Sequence, residues 1–90
     1  MILRFRKSRH GRERSLQRRV SDDEILAVLQ RPASTQPGDQ KDRRVYDGPV
    51  QDDGYHLRIV ASDPPDVYGT VRIVTCYWRK PGPTPSHGIQ

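Results

Sequence analysis

The apolar positions of this chain are sparse, and their period changes twice along it. Leu3 and Phe5 alternate with Ile2 and Arg4, which predicts a short strand or extended lead-in. From Arg9 to about Arg19 only Gly11 disfavours a helix, and Ser8 stands ready to cap it. The apolar members of that helix are Leu16 and, just beyond, Val20, so it is anchored from one side. A second helix starts at "SDDE", where Ser21 and Glu24 have the spacing of a capping box and the extra acids suit the helix dipole. Ile25, Leu26, Val28 and Leu29 supply its buried stripe, and Pro32 ends it near Arg31.

Beyond the helices the period falls to two. Residues Pro32 to Asp42, "PASTQPGDQKD", are polar and aperiodic and predict a mobile loop. "RRVYDGPV" predicts a strand, "YHLRIVAS" a second and "TVRIVTCYW" a third, with turns at "QDDG" and "DPPDVYG". Leu57, Ile59 and Ala61 share one face of the middle strand. On the last strand either Val71, Ile73, Thr75 and Tyr77 or Arg72, Val74, Cys76 and Trp78 fall together. The expected architecture is α+β: two N-terminal helices packed on one face of a three- to four-stranded antiparallel sheet. It forms a single domain over residues 1–80, followed by a disordered tail over 81–90.

Composition narrows the setting. Ninety residues with 32% apolar content support one modest core. Cys76 is the only cysteine, which precludes an internal disulfide and suits a reducing cytosol. No apolar run has the length of a signal-peptide core or a membrane span, so a cytoplasmic location with no membrane partner is expected. Charge is lopsided. Residues 1–20 carry eight Lys or Arg against Glu13, a balance of +7, and the rest of the chain carries −2, for a net +5. Such a cluster attracts polyanions, of which nucleic acid is the usual one in cytosol.

Within the cluster, His10, Arg14 and Arg18 recur every four residues. Each step turns about 400°, so the three drift by only about 80° over roughly 12 Å and share a helix face. An imidazole beside two guanidinium groups suits phosphodiester chemistry, in which one group moves a proton and fixed cations hold charge on phosphate oxygens. The other arginines of the segment, Arg9, Arg12 and Arg19, would add contacts to nucleic acid. Arg58, with His56, faces away from Leu57 and Ile59 and would extend the basic surface across the sheet. Trp78, next to Arg79 and Lys80, is placed to stack on an unpaired base.

The run "HGRERSLQRRVSDDEI", followed by "RP", "HLRIVAS" and "VRIVTCYW", resembles a family of small RelE/ParE-like proteins whose domain has no settled function. The family motif reads His-Ala-x-x-Arg-x-x-x-Arg-Gly-Ile-Ser, then an acidic helix start and a late strand with Val-Thr-x-Tyr. The likeness covers roughly residues 5–78. It departs at Gly11, where the family has alanine, and at Arg19, where the family has the glycine that ends the first helix. That family is grouped with the barnase, EndoU, colicin and RelE ribonuclease toxins. The resemblance therefore implies a RelE-like fold and His10, Arg14, Arg18, Thr75 and Tyr77 as catalytic residues. The implied activity is a metal-independent toxin that cleaves RNA by attack of a ribose 2′-hydroxyl on its own phosphate. Its partners would be RNA and an acidic antitoxin or host protein. The alternative is a non-catalytic factor of phage or plasmid origin that binds nucleic acid or a host protein through the same basic helix.

Other candidates point elsewhere. The pairs Asp52–Asp53 and Asp63–Asp66 flank turns, where aspartate bonds to backbone amides, and match no calcium-loop spacing. Cys76 reads as a small buried hydrophobe. No zinc spacing or phosphate-binding glycine loop calls for a metal or cofactor.

Overall fold

The computed structural model describes residues 2–81. In chain order the elements are β1 (Arg4–Lys7), α1 (Arg9–Gln17), α2 (Asp22–Gln30), β2 (Ser34–Pro37), β3 (Arg43–Asp47), β4 (His56–Ser62) and β5 (Thr70–Arg79). One sheet of order β1-β5-β4-β3-β2 contains all five strands. Strands β2 to β5 form an antiparallel meander, and β1 adds to β5 in parallel.

This corrects the expected three- to four-stranded antiparallel sheet behind two N-terminal helices. A strand precedes the helices, and the sheet is five-stranded and mixed. The physical reason lies in backbone pairing that side-chain pattern does not encode. Arg4–Lys7 pairs with Thr70–Ile73, which gives the lead-in a ladder and makes it an edge strand. Ser34–Pro37, within the expected loop 32–42, pairs with Arg44–Asp47 in the same way. Pro37 lacks an N–H and is tolerated there because an edge strand needs only one paired side. Apart from Pro81, the expected tail over 81–90 lies outside the described residues, as does His87.

The helix ends follow their sequence signals. Ser8 Oγ accepts from Gly11 N at 2.9 Å and caps α1. At α2 the capping box closes in both directions, Glu24 N to Ser21 Oγ at 3.1 Å and Ser21 N to Glu24 Oε1 at 2.9 Å. Between the helices, Arg19 N bonds Leu16 O and Val20 N bonds Ser15 O, the two bonds of a Schellman stop. That stop requires a left-handed residue, and Arg19 takes it with φ +54°. The next residue, Val20, is thereby turned into the core.

Ile25, Val28 and Leu29 of α2 cover Tyr46, Leu57 and Ile59, and Val71, Ile73 and Cys76 of β5 complete the core with Val20 and Ile2. Ile25, Ile59 and Ile73 are fully enclosed, and each contributes about 1.5–3 kcal/mol by leaving water. Helix α1 lies closer to the sheet than an ordinary side chain allows. A Cβ on Gly11 would sit 2.5 Å from the Ile73 carbonyl oxygen, so the approach depends on glycine at this position.

Strand β5 changes phase midway. Ala61 is opposite Ile73 and Val60 opposite Thr75, which leaves Val74 as the extra residue of a β-bulge. Val71, Ile73, Cys76 and Trp78 therefore face the helices. Thr75 and Tyr77 join Arg72 on the other face, so neither of the two simple alternations holds. Among the described residues no helix is long and apolar enough to cross a membrane.

Candidate functional site

Helix α1 runs along β5 just past the point where β1 stops. Ser8 N donates to Ile73 O at 3.0 Å, and Arg18 Nη1 donates to Cys76 O at 2.9 Å, so both ends of the helix are tied to the same strand. With Gly11 and Ser15 buried against the sheet, the 10–14–18 row is carried on the flank of the helix. His10 is exposed and Arg14 and Arg18 are half-buried.

The three side chains are in sequence along this flank. Arg14 Nε donates to His10 Nε2 at 3.2 Å, and Arg14 Nη1 donates to Gln17 Oε1 at 3.2 Å. The Arg18 guanidinium lies 5.6 Å from the centre of the Tyr77 ring, within cation–π range. Tyr77 is thus brought to the row. Thr75 lies two residues away on the same face of β5, opposite Val60. Lys7, Arg9, Arg44 and Arg58 each pair with a carboxylate, at Asp22, Glu13, Asp63 and Asp47. Among the described residues no carboxylate pairs with His10, Arg14 or Arg18.

The expected nucleic-acid contacts divide. Arg12 and Arg19 are exposed on α1 and the turn after it, and Arg9 is exposed beside Glu13 at 3.7 Å. Arg58 is committed elsewhere: its Nε and Nη2 donate to Asp47 Oδ1 and Oδ2 at 2.7 and 2.8 Å. Trp78 faces the helices, on the opposite side of the sheet from Tyr77. There it lines a groove of about 570 Å³ with Val28, Pro49 and Leu57. The two aromatics belong to different surfaces.

The Asp47–Arg58 pair is the main polar feature inside the fold. Asp47 is only 6% exposed, and its bidentate bond to Arg58 holds the carboxyl below the usual carboxylate range, with burial opposing. The same bond raises Arg58. His56, expected on the solvent face, is 8% exposed; its Nε2 is 3.9 Å from Asp47 Oδ1 and has no hydrogen-bond partner among the described residues. It lies on the expected face, but that face is covered where Asp47, Arg58 and Arg79 meet.

Turn aspartates act on the backbone. Asp53 Oδ1 accepts from Tyr55 N, and Asp66 Oδ1 accepts from Tyr68 N and Thr70 N. Cys76 is fully buried, and that burial pushes its thiol up.

Sequence reasoning did not single out Arg4, Arg6 and Arg72. All three are exposed on the sheet face turned from the helices, Arg6 directly opposite Arg72. The signal was present as charge alternating with apolar residues in "RFRK" and "VRIV". Compared with family models, curated proteins and solved structures, the chain finds no match.

Proposed function

We propose that this chain is a metal-independent, ribonuclease-like toxin acting in the cytosol. The observation that carries the reading is the row itself: His10, Arg14 and Arg18 stand along one flank of α1, with Arg14 bonded to His10 and Arg18 against Tyr77, and among the described residues no carboxylate pairs with any of the three. A row of cations on one helix flank attracts phosphate. In the proposed reaction His10 Nε2 takes the proton of a ribose 2′-hydroxyl. The 2′-oxygen then bonds to phosphorus and the bond to the 5′-oxygen breaks, with the proton returned to that leaving oxygen. Arg14 and Arg18 hold the charge that grows on the non-bridging oxygens, and Thr75 donates a further hydrogen bond. The products are a 2′,3′-cyclic phosphate and a 5′-hydroxyl. An acidic antitoxin that covers α1 would be the natural restraint.

One observation favours a second reading, a non-catalytic binding factor. Arg14 Nε occupies the His10 Nε2 lone pair that the reaction needs, and Arg18 is bonded to the backbone of β5. Catalysis thus requires Arg14 to move from the imidazole onto the phosphate. Incubation of RNA with the wild type and with His10→Ala in the presence of a chelator, with mapping of the ends, separates the two. Cyclic-phosphate ends that vanish in the variant while RNA binding persists support the nuclease. Binding by the wild type with no cleavage leaves the binding factor. Expression in a bacterial host should arrest growth in the first case, and His10→Ala should relieve it.

A further inference from the structure

Beside Tyr77, on the sheet face turned from the helices, there is a cleft of about 280 Å³. Val45, Val60 and Val74, one from each of β3, β4 and β5, line it with apolar surface. Val74 is the extra residue of the bulge. Tyr77 borders the cleft too, and the chain from Gln36 to Gln40 contributes another part of its wall. Arg58 is also in the lining, but its charge is already matched by Asp47. Arg43 is in the lining and pairs with no carboxylate among the described residues.

We infer that this cleft is a subsite for one unpaired nucleobase of single-stranded RNA, next to the phosphate-binding flank of α1; the inference rests on the RNA-cleaving reading above. Three observations lead to it. Sites for drug-sized ligands run to about 300–1,000 Å³, so this volume suits a single heterocycle. Its chemistry is mixed: an aliphatic and aromatic lining suits a flat π-face, while Arg43, the amides of Gln36 and Gln40 and the carboxylate of Asp39 offer both donors and acceptors. A phosphate would call for donors alone, and an alkyl chain for none of these groups. Finally, Tyr77 belongs to both places. Its ring lies under the Arg18 guanidinium and also borders the cleft, so one side chain joins a phosphate contact to a base contact.

The test is a titration of the wild-type protein, with valine methyls and arginine Nε–H groups followed by NMR. The probes are inorganic phosphate, ribose 5-phosphate and the four ribonucleoside 3′-monophosphates. Expected are shifts at Val45, Val60 and Val74 with nucleotides and not with the two base-free probes, alongside shifts at Arg14 and Arg18 with all of them. Gln36→Ala, at an exposed edge, should weaken nucleotide binding about two- to tenfold, the loss of one hydrogen bond, with ribose 5-phosphate unchanged. Arginine shifts with silent valines would overturn the base subsite and leave the phosphate reading standing. Valine shifts with silent arginines would keep the subsite and remove the cleaving reading. Silence at both groups would overturn both.

Discussion

Replacing Arg19 by glycine should make the protein more stable. Arg19 is the left-handed residue of the Schellman stop between α1 and α2, at φ +54°. For a residue with a Cβ that conformation costs about 1–2 kcal/mol, because Cβ crowds the following carbonyl. Glycine removes this cost but adds about 0.5–1 kcal/mol of unfolded-chain entropy. The side chain is exposed and makes no hydrogen bond or ion pair among the described residues, so little is lost with it. The net gain is about 0.5–1 kcal/mol, which for a domain of this size raises Tm by about 3–6 °C. Arg19→Ala is the control: it removes the same charge and keeps Cβ, and its Tm should stay within about 2 °C of the wild type. Thermal unfolding followed by far-UV circular dichroism measures all three proteins. If the glycine variant melts no higher than the alanine variant, backbone strain at this stop is not the operative quantity. If the chain binds RNA as proposed, both variants should weaken that binding alike, since they lose the same cation.

Three other consequences can be measured. Asp47→Ala strands Arg58 in a largely enclosed site beside His56 and Arg79 and should cost about 3–5 kcal/mol in urea unfolding, whereas Asp47→Leu with Arg58→Met should recover most of that loss. Because the Asp47 carboxyl is lowered in the folded state, its contribution is complete above the ordinary carboxylate value of about 4. It fades as pH falls below that value and through the depressed one, so the urea midpoint should drop over this range less steeply in the double variant than in the wild type. Gly11→Ala should lower stability by about 1 kcal/mol despite its better helix propensity of about 1 kcal/mol, since a Cβ 2.5 Å from Ile73 O forces α1 away from β5; the Ile73 and Val74 amide resonances should report that shift. Cys76 should resist a disulfide reagent at pH 8 in the native protein and react promptly in urea, because burial both shields the thiol and pushes it up.

What the sequence made legible follows the range over which each signal acts. The capping box at Ser21 and Glu24 and the stripe of Ile25, Val28 and Leu29 are local, and they appear where their spacing places them. Alternation in the lead-in marks β1 as extended but not its parallel partner about 65 residues away, and β2 is defined by a partner about 10 residues away while its own residues, "STQP", carry little apolar signal. The bulge at Val74 is likewise a property of a pair of strands, and it divides Tyr77 from Ile73 where strict alternation joins them. The row of His10, Arg14 and Arg18 follows from helix geometry alone. That Arg58 is held by Asp47, and so is lost to any outside partner, depends on the β3–β4 register.

The placement of α1 also bears on how open the β5 border is to a foreign strand. Strand β5 is ten residues long, while its parallel neighbour covers only Thr70 to Ile73, so more than half of that border would otherwise invite a foreign strand. Donors from Ser8 and Arg18 block it at Ile73, Val74 and Cys76. The two outermost strands are four residues each, one bearing arginines and the other a proline, and both are poor templates for cross-β growth. A helix that presents cations on its flank thus also works as a gasket along the longest strand, and loosening it should reveal itself as aggregation before it appears as unfolding.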